Sequence, residues 1–432
     1  MNTIENIKEQ YRQTQATNGT SLLTLVEQKA FETFNQLGIP TVKNEEWKYT
    51  RIGSLFNKDF KLAVAADALN QKDLETFFLP GHDEANVLVF VNGVFSKAFS
   101  TIRSSELEVM TLEEAAASAH SHTVAAHLGH SSKYIKDGIH ALNTAFIKEG
   151  VFVYVKRGKV AEHPVYVYHV TDARTENVLA QPRTLVHVDA AAQVQFVQHY
   201  VTLGGAESFT NGVIEVVVEQ DAVVENYTIQ ADAAHTSQVN TTHFRQVGKS
   251  YVHTVTITLS GALVRNNLNI VMEAEHAESL LHGLYFLKGN SHVDNHTVVD
   301  NRKPHLLSNE LYKGVIDDEA TAVFNGKIFV QPDAQKINAF QSNKNILLSD
   351  SASVNTKPQL EIFADDVKCS HGCTVGQLDE EGMFYLQSRG VSKDMAKSLL
   401  VHAFAIDILT HIKLQPIREY VDGLISQRLQ LQ

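Results

Sequence analysis

From about Gly150 to Ala364 the chain is written almost entirely in short β-branched runs. They include VFVYVKRG, PVYVYHV, AQVQFVQHYV, GVIEVVVE, AVVENYTIQ, YVHTVTITLSG, KIFVQ and NILLSD, with Asn, Asp, Gly and Ala between them. Branching at Cβ stiffens χ1 and suits a pleated surface, while the intervening residues suit turns. Helical periodicity is nearly absent over this span. A small-residue turn leading into a strand recurs in DAAAQVQF, QDAVVENY, DEATAVF and SDSASV at irregular intervals. Such repetition fits a large sandwich or the stacked coils of a β-helix, each coil burying its face on the next, and the β-helix is the preferred reading. Asn266, Asn267, Asn269, Asn295, Asn325, Asn343, Asn345 and Asn355 are expected at its turns, where Asn tolerates left-handed backbone and can stack in ladders.

Helical patterns flank this core. IENIKEQYRQT and a Ser21-led SLLTLVEQKAFETFNQLG open the chain, the second stopping at Gly38 and Pro40. In NEEWKYTRIGSL, Trp47 and Tyr49 are expected to anchor a charged segment to the core. Val87–Phe95 reads as a strand turning at Asn92 and Gly93, and Leu112–Ala126 as an Ala-rich helix. After Asp379 come DEEGMFYLQSRG, a helix capped by Ser392, and a last helix opened by Pro416. The division expected is an α-rich domain at residues 1–145, a β-helix at 146–375 and a helical domain at 376–432. Leu399, Leu400, Ala403, Phe404, Ile406 and Ile408 form an apolar stripe that must be covered by the same domain or by a partner.

Composition narrows the function classes. A formal charge of -12 with no concentrated basic face argues against nucleic acid and anionic membrane. No apolar run approaches a membrane span, and MNTIENIKEQYRQT reads as neither a signal nor a transit peptide, so the cytoplasm is the expected location. Two cysteines in 432 residues suit a reducing compartment, and 21 histidines raise the question of metal. VGKS at Val247–Ser250 lacks the leading glycine and the following helix of a phosphate-binding loop. Nucleotide hydrolysis connected with this chain is therefore expected on another one, and no G-x-S-x-G elbow is present either.

Both cysteines fall in LEIFADDVKCSHGCTVGQLDEE. An extended strand there presents Cys369, His371 and Cys373 to one side, with Gly372 leaving room for a ligand or a partner backbone. This set suits a metal or a cluster, but structural zinc and iron–sulfur clusters commonly take four ligands, so at least one must come from elsewhere. Buried, chemically inert Cys and His are the alternative. Other groups of residues are ambiguous. His127 and His130, within HSHTVAAHLGH that also holds His120 and His122, would share a helix face, as metal ligands or as solvated or capping groups. His292, Asp294, His296, Asp300 and His305 are either ligands or the polar outer face of a coil, and Arg265 is similarly open.

The run Leu311–Gly390 resembles the SufB/SufD family of the SUF iron–sulfur cluster assembly machinery. The resemblance is carried by LYKGVIDD, AVFNGKIFVQPDAQKINAFQSN, LLSDSASVNTKPQLEIFADDVKCSHG, TVGQLDEE and FYLQSRG, and more loosely by RNNLNI and HVDNHT. NEEWKYTRIGSL is similar to the SufD branch, and the cysteine-containing N-terminal segment of many SufB chains is missing. The resemblance implies a right-handed parallel β-helix between helical ends. It also implies a non-catalytic scaffold subunit in a complex with a SufB-type scaffold and a SufC-type ATPase. The C-terminal helices would dock the ATPase, with Leu399, Leu400 and Phe404 as candidate contacts. Cys369 and His371 would be ligands of iron or a nascent iron–sulfur cluster, held transiently at the SufB interface and not permanently bound. Asp365 and Asp366 would tune that interface or cap the strand end. Relatives usually carry alanine at Cys373, which therefore inherits no role: an extra ligand, a redox liability and a small hydrophobe stay open. A stand-alone Cys/His metalloenzyme and a purely structural adaptor are the competing readings, and self-pairing of the isolated chain stays open.

Overall fold

The β-branched runs form strands that pass back and forth between two sheets. This is a computed structural model describing residues 3–16, 21–62 and 69–431. Among the described residues one sheet has 11 strands and the other 10, and together they build a parallel β-solenoid of about 8 turns with helices at both ends. Strand Leu263–Met272 lies in the first sheet and Glu278–Leu287 in the second, and His292–Asn301 returns to the first. Asn266 and Asn295 sit side by side on consecutive coils, 29 residues apart in sequence. The expectation of a β-helix is met.

Over the earlier coils the strands are buried on both faces, as in Ser208–Val218 and Val223–Gln230, which is why runs such as GVIEVVV read as continuous and not alternating; the last strands, Ser353–Ile362 and Val367–Gly376, are half-buried or exposed. The inner faces meet in a core that includes Val194, Phe196, Val216, Val252, Ile270, Leu281, Phe324 and Ile328. Outside the second sheet, Val255, Ile257, Leu284 and Phe286 pack against Val401, Ala405, Ile408, Val421 and Ile425 of the C-terminal helices. Outside the first, Leu179, Phe209 and Val239 receive Trp47, Phe56 and Phe60. Each fully buried Val, Leu, Ile or Phe contributes about 1.5–3 kcal/mol. The flanking segments are thus part of the solenoid's walls.

The opening helices are Thr3–Ala16 and Leu22–Leu37, the latter capped by the Ser21 hydroxyl and ended by Gly38 at φ 62°. Asn86–Val91 and Val94–Phe95 form the expected hairpin, with positive φ at both Asn92 and Gly93. Asn86–Val91 also pairs with Val165–Asp172, so the second sheet reaches back ahead of Gly150. The Ala-rich stretch is two short helices, Leu112–Ala116 and Ser121–His127, not one. Trp47 is buried as expected, but Tyr49 is exposed and anchors nothing. Helical expectations at 63–68 lie outside the described residues.

The asparagines require a correction. All eight lie inside strands, and the left-handed turn positions are taken by Ala191, Asp221, His276, His305, Asp318 and Lys336. The ladder half of that reading survives in part: Asn266 Nδ2 donates to Asn295 Oδ1 on the next coil at 3.0 Å, whereas Asn345 Nδ2 donates to Asn343 Oδ1 within one strand at 2.7 Å. A buried amide can pair with its counterpart on the next coil, and that satisfies it better than a solvated turn would.

Candidate functional site at the open end of the solenoid

The last coil ends in two edge strands. Among the described residues Ser353–Ile362 pairs only with Thr321–Val330, and Val367–Gly376 only with Ile337–Leu347. Each leaves one side of its backbone without a ladder partner, a template for another chain. Pro358 sits where it can be tolerated, on an edge.

The second of these strands carries Cys369, His371 and Cys373, with residues two apart on one face as expected. They lie in register beside Ala339, Gln341 and Asn343, which are buried, so the face they share is the lumen-facing one. Cys369 packs half-buried against the inner core, and burial raises its thiol pKa. His371 and Cys373 are exposed at the mouth, and a Cβ on Gly372 would meet nothing within 4 Å. Both cysteines are free. Along a strand they stand about 13 Å apart, too far for a disulfide or for one ion held at about 2.3 Å from each sulfur. His371 can share an ion with either cysteine, but the cysteines cannot share one with each other. The set holds two protein ligands at a time and needs more from outside.

Beneath the mouth the lumen is polar. His371 stacks over Gln341, and Gln341 over Glu310. Gln341 Nε2 donates to Glu310 Oε2 at 2.7 Å. Burial pushes the Glu310 carboxyl up to about 7, and its hydrogen bonds offset only part of that. Gln341 fits because residue 326 across the lumen is glycine, where a Cβ would fall 2.2 Å from its amide nitrogen. Under Cys373, Asn343 Nδ2 donates to Tyr285 Oη at 2.9 Å. Sequence reasoning missed Glu310. Its signal was a carboxylate at an inward position, between Ser308 and Tyr312 on the same strand face.

The other candidates lie elsewhere. Asp365 and Asp366 occupy the bend before the strand, where Asp366 pairs with Lys336 at 3.4 Å, and they do not join the Cys/His face. The C-terminal stripe divides. Ile408 faces inward, Phe404 is half-buried under Lys313 with its ring 4.5 Å from Nζ, and Leu400 is half-buried. Leu399 and Ile406 point outward with Met395, beside Phe384, 74% exposed, and Tyr385, 58% exposed.

The acidic and histidine groups of the coil serve packing. Asp294 accepts from Arg265 Nη1 at 2.6 Å and from the Thr50 hydroxyl at 2.5 Å, and lies 2.9 Å from His296 Nε2. Arg265 stacks on Trp47 at 4.1 Å and donates to the Glu46 carbonyl at 2.8 Å. Burial alone would raise the Asp294 carboxyl, but His296 and Arg265 hold it well below the usual range. NEEWKYT is thereby pinned to the first sheet. Asp300 binds Tyr134 and Arg302, and His305 stacks on His276 in a turn, so the five residues do not converge. His127 and His130 do not share a helix face either, because the helix ends at His127; they meet Arg245 and His243 separately.

Comparison with known proteins identifies relatives over nearly the whole chain. A family model described as "SUF system FeS cluster assembly, SufBD core domain" matches residues 169–404, and one described as "SufBD protein N-terminal region" matches 2–167. An iron–sulfur cluster assembly SufBD family protein of Synechocystis is 31% identical over 94% of this chain and 91% of its own. The iron–sulfur cluster assembly protein SufD of Escherichia coli is 29% identical over 91% of this chain and 90% of its own. Protein ABCI7, chloroplastic, of Arabidopsis thaliana is 29% identical over 63% and 60%.

Proposed function

The chain belongs to the SufBD family of the SUF system for iron–sulfur cluster assembly, and from that premise we propose that it is a SufD-like, non-catalytic scaffold subunit. It receives iron, or holds a forming cluster, jointly with a SufB-type partner. The observation that carries this reading is the edge strand Val367–Gly376, which combines an unpaired backbone side with an incomplete ligand set. A partner strand laid along it would bring further ligands to Cys369 and His371 at the moment it completes the sheet. Iron and cluster are cargo here, shared across the interface and released. Cys373 is too far from Cys369 to serve the same ion and acts as a small side chain at the rim.

Energy for rearrangement comes from a SufC-type ATPase. The outward apolar row of Met395, Leu399 and Ile406, with Phe384 and Tyr385, is its docking surface on this reading. Leu400 and Phe404, both half-buried, are further candidate contacts on the same helix. No described helix is long and apolar enough to cross a membrane, and the work is assigned to the cytoplasm.

The test is anaerobic reconstitution with SufB-type and SufC-type partners, comparing the wild type with His371→Ala and Cys369→Ala for bound iron and sulfide. Complex assembly is measured in the same samples. Loss of iron and sulfide with assembly intact supports shared ligation. Unchanged iron and sulfide would make this chain a structural adaptor.

A further inference from the structure

Far from the mouth, on the outer face of the second sheet, three imidazoles from three elements converge. His253 lies on strand Tyr251–Thr258, His282 on the neighbouring Glu278–Leu287, and His411 in the turn after helix Lys393–Leu409. His253 and His282 are buried, and His411 is half-buried at the solvent side. His253 Nε2 lies 3.1 Å from His282 Nδ1, and the rings of His282 and His411 stack at 3.5 Å. One nitrogen from each falls within 4.8 Å of the other two. Nitrogens bound to one tetrahedral zinc at about 2.0–2.1 Å stand about 3.3 Å apart, so the nitrogens must close in and the stacked His282 and His411 rings must rotate until their in-plane lone pairs converge, which costs the His253–His282 hydrogen bond.

The surroundings keep these rings neutral. Burial is the main reason, and it lowers His253 to about 4 and His282 to about 3, with His411 also lowered. Lys413, from the C-terminal segment, adds repulsion at His253 although it is paired with Glu225. Asp407, one helical turn before His411, is paired with Lys313 at 2.7 Å. Neutral imidazoles offer lone pairs, but the hydrogen bond between His253 and His282 uses one nitrogen of each and leaves His253 Nδ1 buried without a partner. Three clustered imidazoles repel protons and suit a cation that accepts nitrogen donors.

We propose that His253, His282 and His411 form a site for a divalent transition-metal ion, of the zinc type, that clamps the C-terminal helices to two coils of the solenoid. A fourth position is open to water or to Asp407. The site is separate from Cys369 and His371 and does not depend on the cluster-assembly reading.

The experiment uses the full chain, stripped with chelator and titrated with Co(II) and then Zn(II). Cys369→Ser, His371→Ala and Cys373→Ser are combined in the background to silence the mouth. Expected are one Co(II) per chain with visible ligand-field absorption, displacement by Zn(II), and a rise in the thermal midpoint. His282→Ala should weaken Co(II) binding by more than about tenfold, the smallest effect expected when even an outer-sphere partner of a metal site is lost. His411→Ala, at the half-buried position, repeats the test in a variant whose fold is checked by circular dichroism. The proposal is overturned if the background variant binds no Co(II). It is equally overturned if binding persists unchanged in a folded His411→Ala chain.

Discussion

Replacing Glu310 by glutamine should stabilise the protein, and by an amount that grows with pH. The carboxyl is buried in the lumen, with one oxygen held by Gln341 Nε2 and the other, Oε1, without a partner; Gln341 Oε1 lacks one too. A proton on Glu310 supplies a donor to a pair that otherwise has two buried acceptors to fill. The folded chain therefore holds a proton up to about pH 7 that the unfolded chain releases near 4.5. Because the folded-state value is the higher one, stability falls as pH rises through this window and no further above it. At 1.36 kcal/mol per pH unit, stability lost to this group is about 1 kcal/mol near pH 5.5, where folding must take up a proton, and about 3 kcal/mol near pH 8, where the buried carboxylate is ionised. Glutamine keeps the shape and supplies an N–H at every pH. Urea unfolding, followed by the single Trp47 and by circular dichroism, measures the difference between the two chains. The expected gain is about 1 kcal/mol near pH 5.5, rising to about 3 kcal/mol near pH 8. A difference that stays flat with pH, or a variant less stable near pH 8, would refute the assignment of a protonated carboxyl in the lumen.

Two further outcomes follow from the packing. Asp294→Ala should cost about 3–5 kcal/mol, because it strands the buried Arg265 guanidinium. The same change removes one of the two side-chain hydrogen bonds of Thr50, the other being to His292, so trypsin should cut near Lys48 and Arg51 faster than in the wild type; equal cleavage rates would mean that NEEWKYT is held without Asp294, by Trp47 and the Glu45 and Glu46 ion pairs. Leu399→Glu lies on the outward row and should leave stability within about 0.5 kcal/mol of the wild type while weakening capture of a SufC-type partner in pull-down. Undiminished capture would move the docking surface elsewhere.

The architecture was legible because it rests on local chemistry. β-branched runs separated by small residues encode strands, and Ser21, Gly38, Asn92, Gly93 and Ser392 mark their element ends through hydrogen bonds and backbone conformations that need no distant partner. The alternation of Cys369, His371 and Cys373 is likewise a property of any strand. Family resemblance added the kind of cargo that such a set would hold.

What the sequence could not settle was decided by register, which depends on how far each coil runs before the next begins. Register placed Glu310 beneath Gln341 and His371 and set Asn266, Asn295, Asn343 and Asn345 inside strands facing the lumen, while helix packing divided the C-terminal stripe into a buried and an exposed face. Docking of the C-terminal helices on the second sheet brought His411 to His253 and His282, from positions with no spacing signature. Strand and turn propensities are short-range and can be read along the chain, whereas the choice of neighbour across a parallel sheet is a long-range contact. The chain therefore determines by itself that it coils, and the packed coils determine which side chains meet.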